Sequence, residues 1–484
     1  MIVRPPIVTI LGHVDHGKTT LLDYIRQSTI AQKEHGRITQ KIGGYEVKCE
    51  IKGYPVNKIT FIDTPGHEAF SRLRSRGANV ADVAILLIDA KDSLMPQTVE
   101  SIFHIKTANI PMIVALNKID LPEANSEKVK RDLLKHDILV EGQGGKIPVV
   151  SVSAKTGAGV KELLETILLV TSDMNLKTSP TNSLQAFIIE TKKDRRGIVV
   201  SAIIKDGQIN VGDVVYCGPD KIKIRSLIDD NNRLINQVVP SKPFEILGFD
   251  KLPEVGSLIS DKPQGQNPPD LDKPNSQPAQ FNLQTILQQP LTEKQLSLVI
   301  KTDSQGSLEA IEGMLSKNEK VNLILKAVGN IHKSDVFLAK TTGSIVIGFN
   351  IKPDPEVVQI AKQEKVIIKT YNIIYELINE LTEVADLLQE KAAKERNLKG
   401  EAKILASFTI EGERVFGVKI IKGKINLADE LEIYRNDQMI GRAKLVSLKN
   451  RAKKIAEAKK DQEAGMIFST QLDIHIGDVI KCIL

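Results

Sequence analysis

The sequence predicts a multidomain α/β and β protein: a P-loop-type α/β domain, a β-barrel, an α/β/α domain, a long connecting helix and a second β-barrel. Three observations predict it. Apolar runs alternate with helical stretches over the first third of the chain, β-branched runs broken by Gly, Asp and Asn follow, and a later β-like region repeats that pattern. The chain has 484 residues, so at ~150 residues per domain the prior is about three domains. At 41% hydrophobic and 26% charged it can bury real cores, which excludes a wholly disordered chain. The best apolar run, Val83 to Ile88, is strand-sized and far short of the ~18 residues of a membrane span. Cys49, Cys217 and Cys482 lie far apart with no Cys-x-x-Cys, which argues against a disulfide framework or zinc ribbon.

The first module, 1–175, rests on Ile7–Leu11, Ile59–Ile62, Val83–Ile88, Ile110–Leu116 and Ile147–Val152, several of which end in a polar or glycine-rich loop. That is a parallel sheet wound with helices, whose ligands sit at the carboxyl ends of the strands. The change of texture from Ser183 to Ser260 predicts a β-barrel domain over 176–261. Residues 262–279 hold five prolines, and 262–285 is assigned as a linker. Leu296–Lys301, the helix Leu308–Leu315, Ile345–Phe349 and Glu356–Lys362 then give an α/β/α domain over 286–374. Leu377, Ile378, Leu381, Val384, Ala385 and Leu388 fall at helical spacing on one connecting helix, 375–399, rather than two with a break.

Residues 400–484 read as a C-terminal β-barrel. Gly207-Gln-Ile-Asn-Val-Gly-Asp213 matches Gly423-Lys-Ile-Asn-Leu-Ala-Asp429, and Val255-Gly-Ser-Leu-Ile259 echoes Ile476-Gly-Asp-Val-Ile480. From 207 to 256 is 49 residues and from 423 to 477 is 54. The matched spacing favours two copies of one module over two chance hairpins.

Gly12-His-Val-Asp-His-Gly-Lys-Thr19 fits G-x-x-x-x-G-K-[ST] between a strand and the helix Thr19–Gln27. Its glycines let the backbone N–H groups of His13, Val14, Asp15, His16 and Gly17 wrap phosphates, and the helix N-terminus adds its positive dipole end. Lys18 would reach the β- and γ-phosphates and the Thr19 hydroxyl would bind Mg²⁺, with Thr20 in the same run. Asp63-Thr-Pro-Gly66 places a carboxylate near the metal and the Gly66 N–H near the γ-phosphate. Asn117-Lys-Ile-Asp120 and Ser153-Ala-Lys155 end two further strands. The Asp120 carboxylate offers two acceptors to the N1–H and N2–H donors of guanine, and such a site rejects adenine by on the order of 10⁴-fold. The Lys118 stem would cover the base and the Ala154 N–H would donate to O6. Each tetrapeptide alone reads equally well as an ordinary turn. Four in register on successive strands point to GTP and GDP.

The same residues identify a family. His13-Val-Asp-His-Gly-Lys-Thr19 and Asp63-Thr-Pro-Gly-His67 resemble the translational GTPases, where a His follows the third motif and small signalling GTPases usually carry Gln. Asp63-Thr-Pro-Gly-His-Glu-Ala-Phe70, Arg74-Ser-Arg-Gly-Ala-Asn-Val-Ala-Asp82, Ser304-Gln-Gly-Ser-Leu-Glu-Ala-Ile311 and Ile347-Gly-Phe-Asn350 resemble the bacterial translation initiation factor 2 family, over essentially the whole chain. The resemblance implies that His67 orients the attacking water when the ribosome positions it. It also implies that Ile38-Thr-Gln-Lys-Ile42 is the first switch segment, with Thr39 as a second Mg²⁺ ligand beside Thr19 and Asp63. The implied task is GTP-dependent binding of formylmethionyl initiator tRNA to the small ribosomal subunit, promotion of joining by the large subunit, and ribosome-stimulated hydrolysis.

Three departures stand out. Arg37 occupies a place where relatives usually have Gly. Glu463-Ala464-Gly465 stands where relatives carry Glu-Cys-Gly, implicated in holding formylmethionine. Lys449-Asn-Arg451-Ala452 stands for a more basic relative segment. The chain begins almost at its first strand, so the expectation is a factor reduced to its GTPase-to-tRNA core. It is expected to act as a monomer away from membranes, in the bacterial cytoplasm or an organelle-encoded equivalent.

The net charge is +6, yet residues 435–460 alone carry nine Lys or Arg against Asp437 and Glu457, a net +7. A basic stripe on a small barrel suits an RNA backbone, with a solvated face as the bland reading. Two other readings are a GTP-gated ribosome-assembly or RNA-binding module, and a specialised elongation factor. A pure switch has less need of His67.

Overall fold

The computed structural model describes residues 2–27, 39–49, 51–263, 295–396, 398–410, 413–436, 438–451, 453–469 and 472–483. Arg37, Ile38, Asp437, Ala452 and the expected linker from 264 onward lie outside the described residues.

In the first module the apolar runs form a six-stranded sheet, ordered Gly43–Lys48, Lys58–Asp63, Ile7–Leu11, Val83–Asp89, Met112–Asn117 and Val149–Ser151. Neighbours are parallel except Gly43–Lys48, which runs antiparallel to Lys58–Asp63. Ile7–Leu11 and Val83–Asp89 are buried at every residue, because helices cover both faces of a parallel sheet. Alternate residues therefore feed two cores: Ile10, Ile85 and Ile113 in one, Leu11, Leu86 and Val114 in the other. The antiparallel edge strand was not foreseen, since Gly43-Gly-Tyr-Glu-Val-Lys48 is mostly half-buried and shows no apolar run.

The strands Gln185–Asp194, Gly197–Asp206, Pro243–Leu247 and Ser226–Asp229 pair in that order. On the other side of Gln185–Asp194 come Leu258–Ser260, Val214–Cys217 and Asp220–Lys223. Leu234–Ile235 extends the path beyond Ser226–Asp229. Asp220–Lys223 at one end and Ser226–Asp229 next to the other are consecutive in the chain, so the sheet curls round a core that includes Ile188, Val200, Ile246 and Ile259. The third sheet is parallel throughout, ordered Val321–Val328, Leu296–Thr302, Ile345–Phe349 and Ile368–Tyr371. The helices Gln305–Leu315, Lys333–Thr342 and Pro355–Gln363 connect its strands.

One helix runs Ile374–Arg396 without a break, and Ile374, Leu377, Leu381 and Ala385 are its buried stripe. The terminal sheet is closed. Leu398–Ile410 pairs with Val479–Ile483, then Glu430–Arg435, Gln438–Asn450, Glu463–Phe468 and Glu413–Asn426 follow, and the last returns to pair with the first. The described residues up to 263, with Leu296–Thr382, form one compact unit, and those from Glu383 onward form another.

Within the first unit the modules are joined by buried polar contacts. Asp82 takes a bidentate bond from Arg4 at 2.6 and 2.7 Å and faces Lys205 of the first barrel at 3.9 Å. Thr60 Oγ1 donates to the Ser241 carbonyl at 2.6 Å. Glu190 of the first barrel accepts from the Gly306 N–H, at the start of Gln305–Leu315, at 3.1 Å. Burial raises the Glu190 pKa even so.

Candidate functional site

The loops that carry the sequence motifs meet at the carboxyl ends of the first sheet. Between Ile7–Leu11 and the helix Lys18–Arg26 the chain turns through Asp15 at φ +62° and Gly17 at φ +92°. Left-handed backbone at Gly17 points the first helical N–H groups into the loop. Lys18 Nζ folds back and donates to the Gly12 carbonyl at 3.0 Å and the His13 carbonyl at 2.5 Å. Burial pushes its pKa down to about 8, opposed by the nearby Asp63 carboxylate. A Cβ on Gly66 would stand 2.3 Å from Lys18 Nζ, so any larger residue here would displace the end of that side chain.

A cavity of about 190 Å³ opens at this point. Val14, Asp15, Gly17, Lys18, Thr19 and Thr20 form one wall, and Thr39, Gly66, His67 and Tyr375 form the other. The hydroxyls of Thr19 and Thr39 lie 2.5 Å apart, so residues from separate segments bring two oxygens together. Asp63 ends its strand in the same place, 4% exposed. The Val14 N–H donates to Gln97 Oε1 at 3.0 Å.

His67 is 4% exposed. Its Nδ1 accepts from the Ala69 N–H at 2.9 Å, while Nε2 is buried with no partner. Burial pushes its pKa down to about 4, with Arg74 adding to the shift and Glu68 opposing it. At neutral pH the ring is therefore uncharged, and because Nδ1 is an acceptor the proton sits on Nε2. In this arrangement the imidazole offers one N–H donor.

The loop around His67 is held by Arg74, which is fully buried. It donates to the Pro65 carbonyl at 3.0 Å and the His67 carbonyl at 2.5 Å, and pairs with Glu100 at 2.7 Å. Burial opposes ionisation of Glu100, yet hydrogen bonds from His104, Arg74 and Ser71 hold it at about 2.

The far end of the site is built by Asn117. Its amide donates to the His16 carbonyl at 2.7 Å and accepts from the Ala154 N–H at 2.9 Å, tying three loops together. Ser153 Oγ donates to Asp120 Oδ1 at 2.7 Å and holds that exposed carboxyl below its usual range. Lys118, at φ +62°, pairs with Asp89 at 2.6 Å, and Lys155 is exposed close to Asp120. Here the Ala154 N–H donates to Asn117, whereas the sequence reading had it donate to a base.

The expected tRNA residues divide. Lys449 borders a cavity of about 280 Å³ in the terminal barrel, lined by Leu427, Val446, Leu448, Ile455, Ile467 and Lys454 among others. Arg451 is exposed on the neighbouring turn. Gly465 pairs with Lys449 in the sheet and Glu463 is exposed, but Ala464 is 5% exposed within the barrel core. The basic stripe also divides. Arg435 pairs with Asp478, Arg442 with Glu432 and Lys459 with Glu457, whereas Lys449, Arg451, Lys453 and Lys454 make no ion pair among the described residues.

Tyr375 and Gln97 belong to the site but to no sequence motif, while Gln40 and Arg74 lie within motif segments without having been singled out as site residues. For Arg74 the signal was its place at the head of the run Arg74–Asp82, and the structure adds that it is fully buried within the helix Ser71–Val80. Tyr375 gives no signal, because it stands in the first turn of an ordinary amphipathic helix.

Three stretches of the chain match known families. Residues 4–173 match the family described as elongation factor Tu GTP binding domain, 183–262 elongation factor G domain 2, and 273–382 translation-initiation factor 2. A similar protein is translation initiation factor IF-2 of Onion yellows phytoplasma (strain OY-M), 38% identical over 99% of this chain and 79% of that protein. Another is translation initiation factor IF-2 of Aquifex aeolicus (strain VF5), 40% identical over 99% of this chain. The chain spans 61% of the length of the Aquifex relative. The crystal structure of GDP-bound aIF5B from Aeropyrum pernix aligns with 99% of this chain and 92% of its own, at 26% identity and a TM-score of 0.47.

Proposed function

Because the chain belongs to the translation initiation factor 2 family, we propose that it is a GTP-dependent factor for the start of protein synthesis. It binds formylmethionyl initiator tRNA on the small ribosomal subunit, promotes joining of the large subunit, and hydrolyses GTP to GDP and phosphate when the ribosome engages it. The observation that carries this reading is the meeting of Lys18, Thr19, Thr39, Gly66 and His67 around one cavity, with Asp120 at the far end of the same loops. Lys18 and the P-loop amides bind the phosphates, and Asp120 reads guanine.

Mg²⁺ fits the donor set. Two hydroxyl oxygens and the Asp63 carboxylate are hard ligands of the kind this ion takes, and Thr19 and Thr39 are already together. When bound, the ion neutralises charge on the β- and γ-phosphates. His67, neutral with its proton on Nε2, donates to the attacking water or to a phosphate oxygen and orients it. It does not act as a base while the Ala69 N–H occupies Nδ1.

The modules take the roles of their segments: 1–175 binds and hydrolyses the nucleotide, 176–261 and 286–374 frame it, 262–285 links them, and the helix 375–399 leads to 400–484. The terminal barrel holds the acylated tRNA end. Its cavity sets Leu427, Val446, Leu448, Ile455 and Ile467 beside Lys449, Lys454 and Glu413, a mixed lining in which an acyl group can sit next to RNA phosphates. Lys449 and Arg451 are its best-placed cations, with Glu463, Ala464 and Gly465 supporting from the paired strand. The factor works as a monomer in the bacterial cytoplasm or its organelle equivalent.

Replacing His67 tests the reading. His67→Ala is expected to keep GTP affinity and to lose ribosome-stimulated hydrolysis by roughly 10²–10³-fold, the range for removing one positioned hydrogen-bond donor. Stimulated turnover unchanged in the variant would refute it.

A further inference from the structure

Two rings flank His67, and one of them is not supplied by its own loop. The Tyr375 ring lies against the imidazole with centroids 3.8 Å apart at 52°, and Phe70 meets it edge-on at 6.1 Å. Tyr375 comes from the first turn of the helix Ile374–Arg396, yet it lines the same cavity as Lys18, Thr19 and Thr39.

The seat of Tyr375 is fixed from the other side of that cavity. Gln40, the residue after Thr39, donates from Nε2 to the Asn372 carbonyl at 2.8 Å and accepts the Ile374 N–H at 3.2 Å. One side-chain amide thus clasps both a C=O and an N–H of the turn that carries Tyr375. Gln40 is 7% exposed, so neither bond is readily exchanged with water. The Thr39 segment, the start of the helix and His67 are consequently one mechanical chain, all within one compact unit.

We propose that Tyr375 is a positioning residue for His67, its ring holding the imidazole at the cavity wall when Gln40 has seated the turn. An imidazole pinned only at Nδ1 can still swing about that bond. A ring against its face removes the freedom and excludes water from Nε2, leaving the N–H donor pre-aimed rather than solvated. Glu68 and Arg74 are the charged groups that act on His67, and Asp15 and Glu68 those that act on Tyr375. Opening the site to water in place of the Tyr375 ring would raise the His67 pKa toward 6.5.

The proposal rests on the assignment of His67 above, so the experiment separates the two. In the full chain, Tyr375→Ala, Tyr375→Phe and His67→Ala are compared by single-turnover GTP hydrolysis with ribosomes over a range of pH. GDP affinity is measured alongside. Histidine-selective NMR follows the His67 titration. Tyr375→Ala is expected to lose at least tenfold in the stimulated rate at saturating ribosomes, with GDP affinity and half-saturation within twofold. Its His67 titration should move up. Tyr375→Phe should restore both the rate and the titration, because the ring, not the hydroxyl, makes the contact. A wild-type rate and unmoved titration in Tyr375→Ala, with His67→Ala inactive, overturns the Tyr375 proposal alone. An active His67→Ala overturns the functional reading.

Discussion

The first barrel and the terminal barrel share a turn down to its hydrogen bonds. In one, the Asn210 N–H donates to Asp213 Oδ2 at 2.7 Å; in the other, the Asn426 N–H donates to Asp429 Oδ2 at 2.8 Å. Gly212 N–H bonds the Ile224 carbonyl and Ala428 N–H the Leu445 carbonyl, both at 3.0 Å. Gly256 and Gly477 likewise donate to Ile188 and Ile404 at 2.9 Å. What differs is where the outer charges go. Lys205, Glu190 and Ser241 of the first barrel are committed to the neighbouring modules. In the terminal barrel Lys399 pairs with Asp429 and Arg435 with Asp478, inside the barrel itself. That leaves Lys449, Arg451, Lys453 and Lys454 exposed at or near a cavity of mixed polar and apolar lining. One fold, used twice, serves as a structural joint in one place and as a candidate binding surface in the other.

The sharpest way to break this comparison is to remove one anion from each side. Asp82→Ala leaves Arg4 and Lys205 facing each other without their carboxylate, and Arg4 and Asp82 are 8% and 6% exposed. Loss of one partner of such a buried pair is expected to cost about 3–5 kcal/mol in urea unfolding of the first unit. Asp429→Ala should cost clearly less, because Lys399 keeps access to solvent. Equal losses would mean that the first barrel is no more tightly joined than the second is self-contained.

Acid should separate the two units as well. His16 and His67, 1% and 4% exposed, are both pushed by burial to about 4. The unfolded chain protonates these rings near 6.5 while the folded one does not, so stability falls as pH drops from about 6.5 toward 4. The loss is on the order of 2 kcal/mol per ring. The histidine of the terminal unit, His475, is exposed. Region-resolved hydrogen exchange at pH 7 and pH 5 should therefore show protection lost in the first sheet and retained in the terminal barrel. Parallel loss in both would contradict the assignment to these rings.

The loops that meet at the first sheet were legible as loops because each is a run of adjacent residues at the end of a buried strand, where composition and spacing coincide. The barrel repeat was legible for a related reason, since a turn such as Gly423–Asp429 needs its Asn and Asp at fixed offsets to bond its own backbone. The edge strand Gly43–Lys48 was not, because a half-covered strand in which Val47 alone is buried has no reason to be uniformly apolar. Ala464 shows a subtler limit. Motif matching placed it beside Glu463 and Gly465, but strand alternation turns it into the core. Tyr375 and Gln40 act on His67 from separate segments, and nothing local in either marks a contact made only by folding.

The smallest test bears on whether the two turns are truly the same. Gly212 sits at φ +92° with nothing within 4 Å of where a Cβ would stand, while Ala428 occupies the matching position at φ +72°. With no steric partner at Gly212, Gly212→Ala should cost only the backbone penalty of a left-handed L-residue, about 1 kcal/mol. Ala428→Gly removes that same penalty from the terminal barrel but returns flexibility to its unfolded chain, so a gain of about 0.5 kcal/mol is expected. Opposite signs in urea melts of the two variants would establish that both barrels impose one backbone geometry on unlike residues. The same sign in both would mean that the terminal turn draws its stability from the Lys399–Asp429 pair and not from its shape.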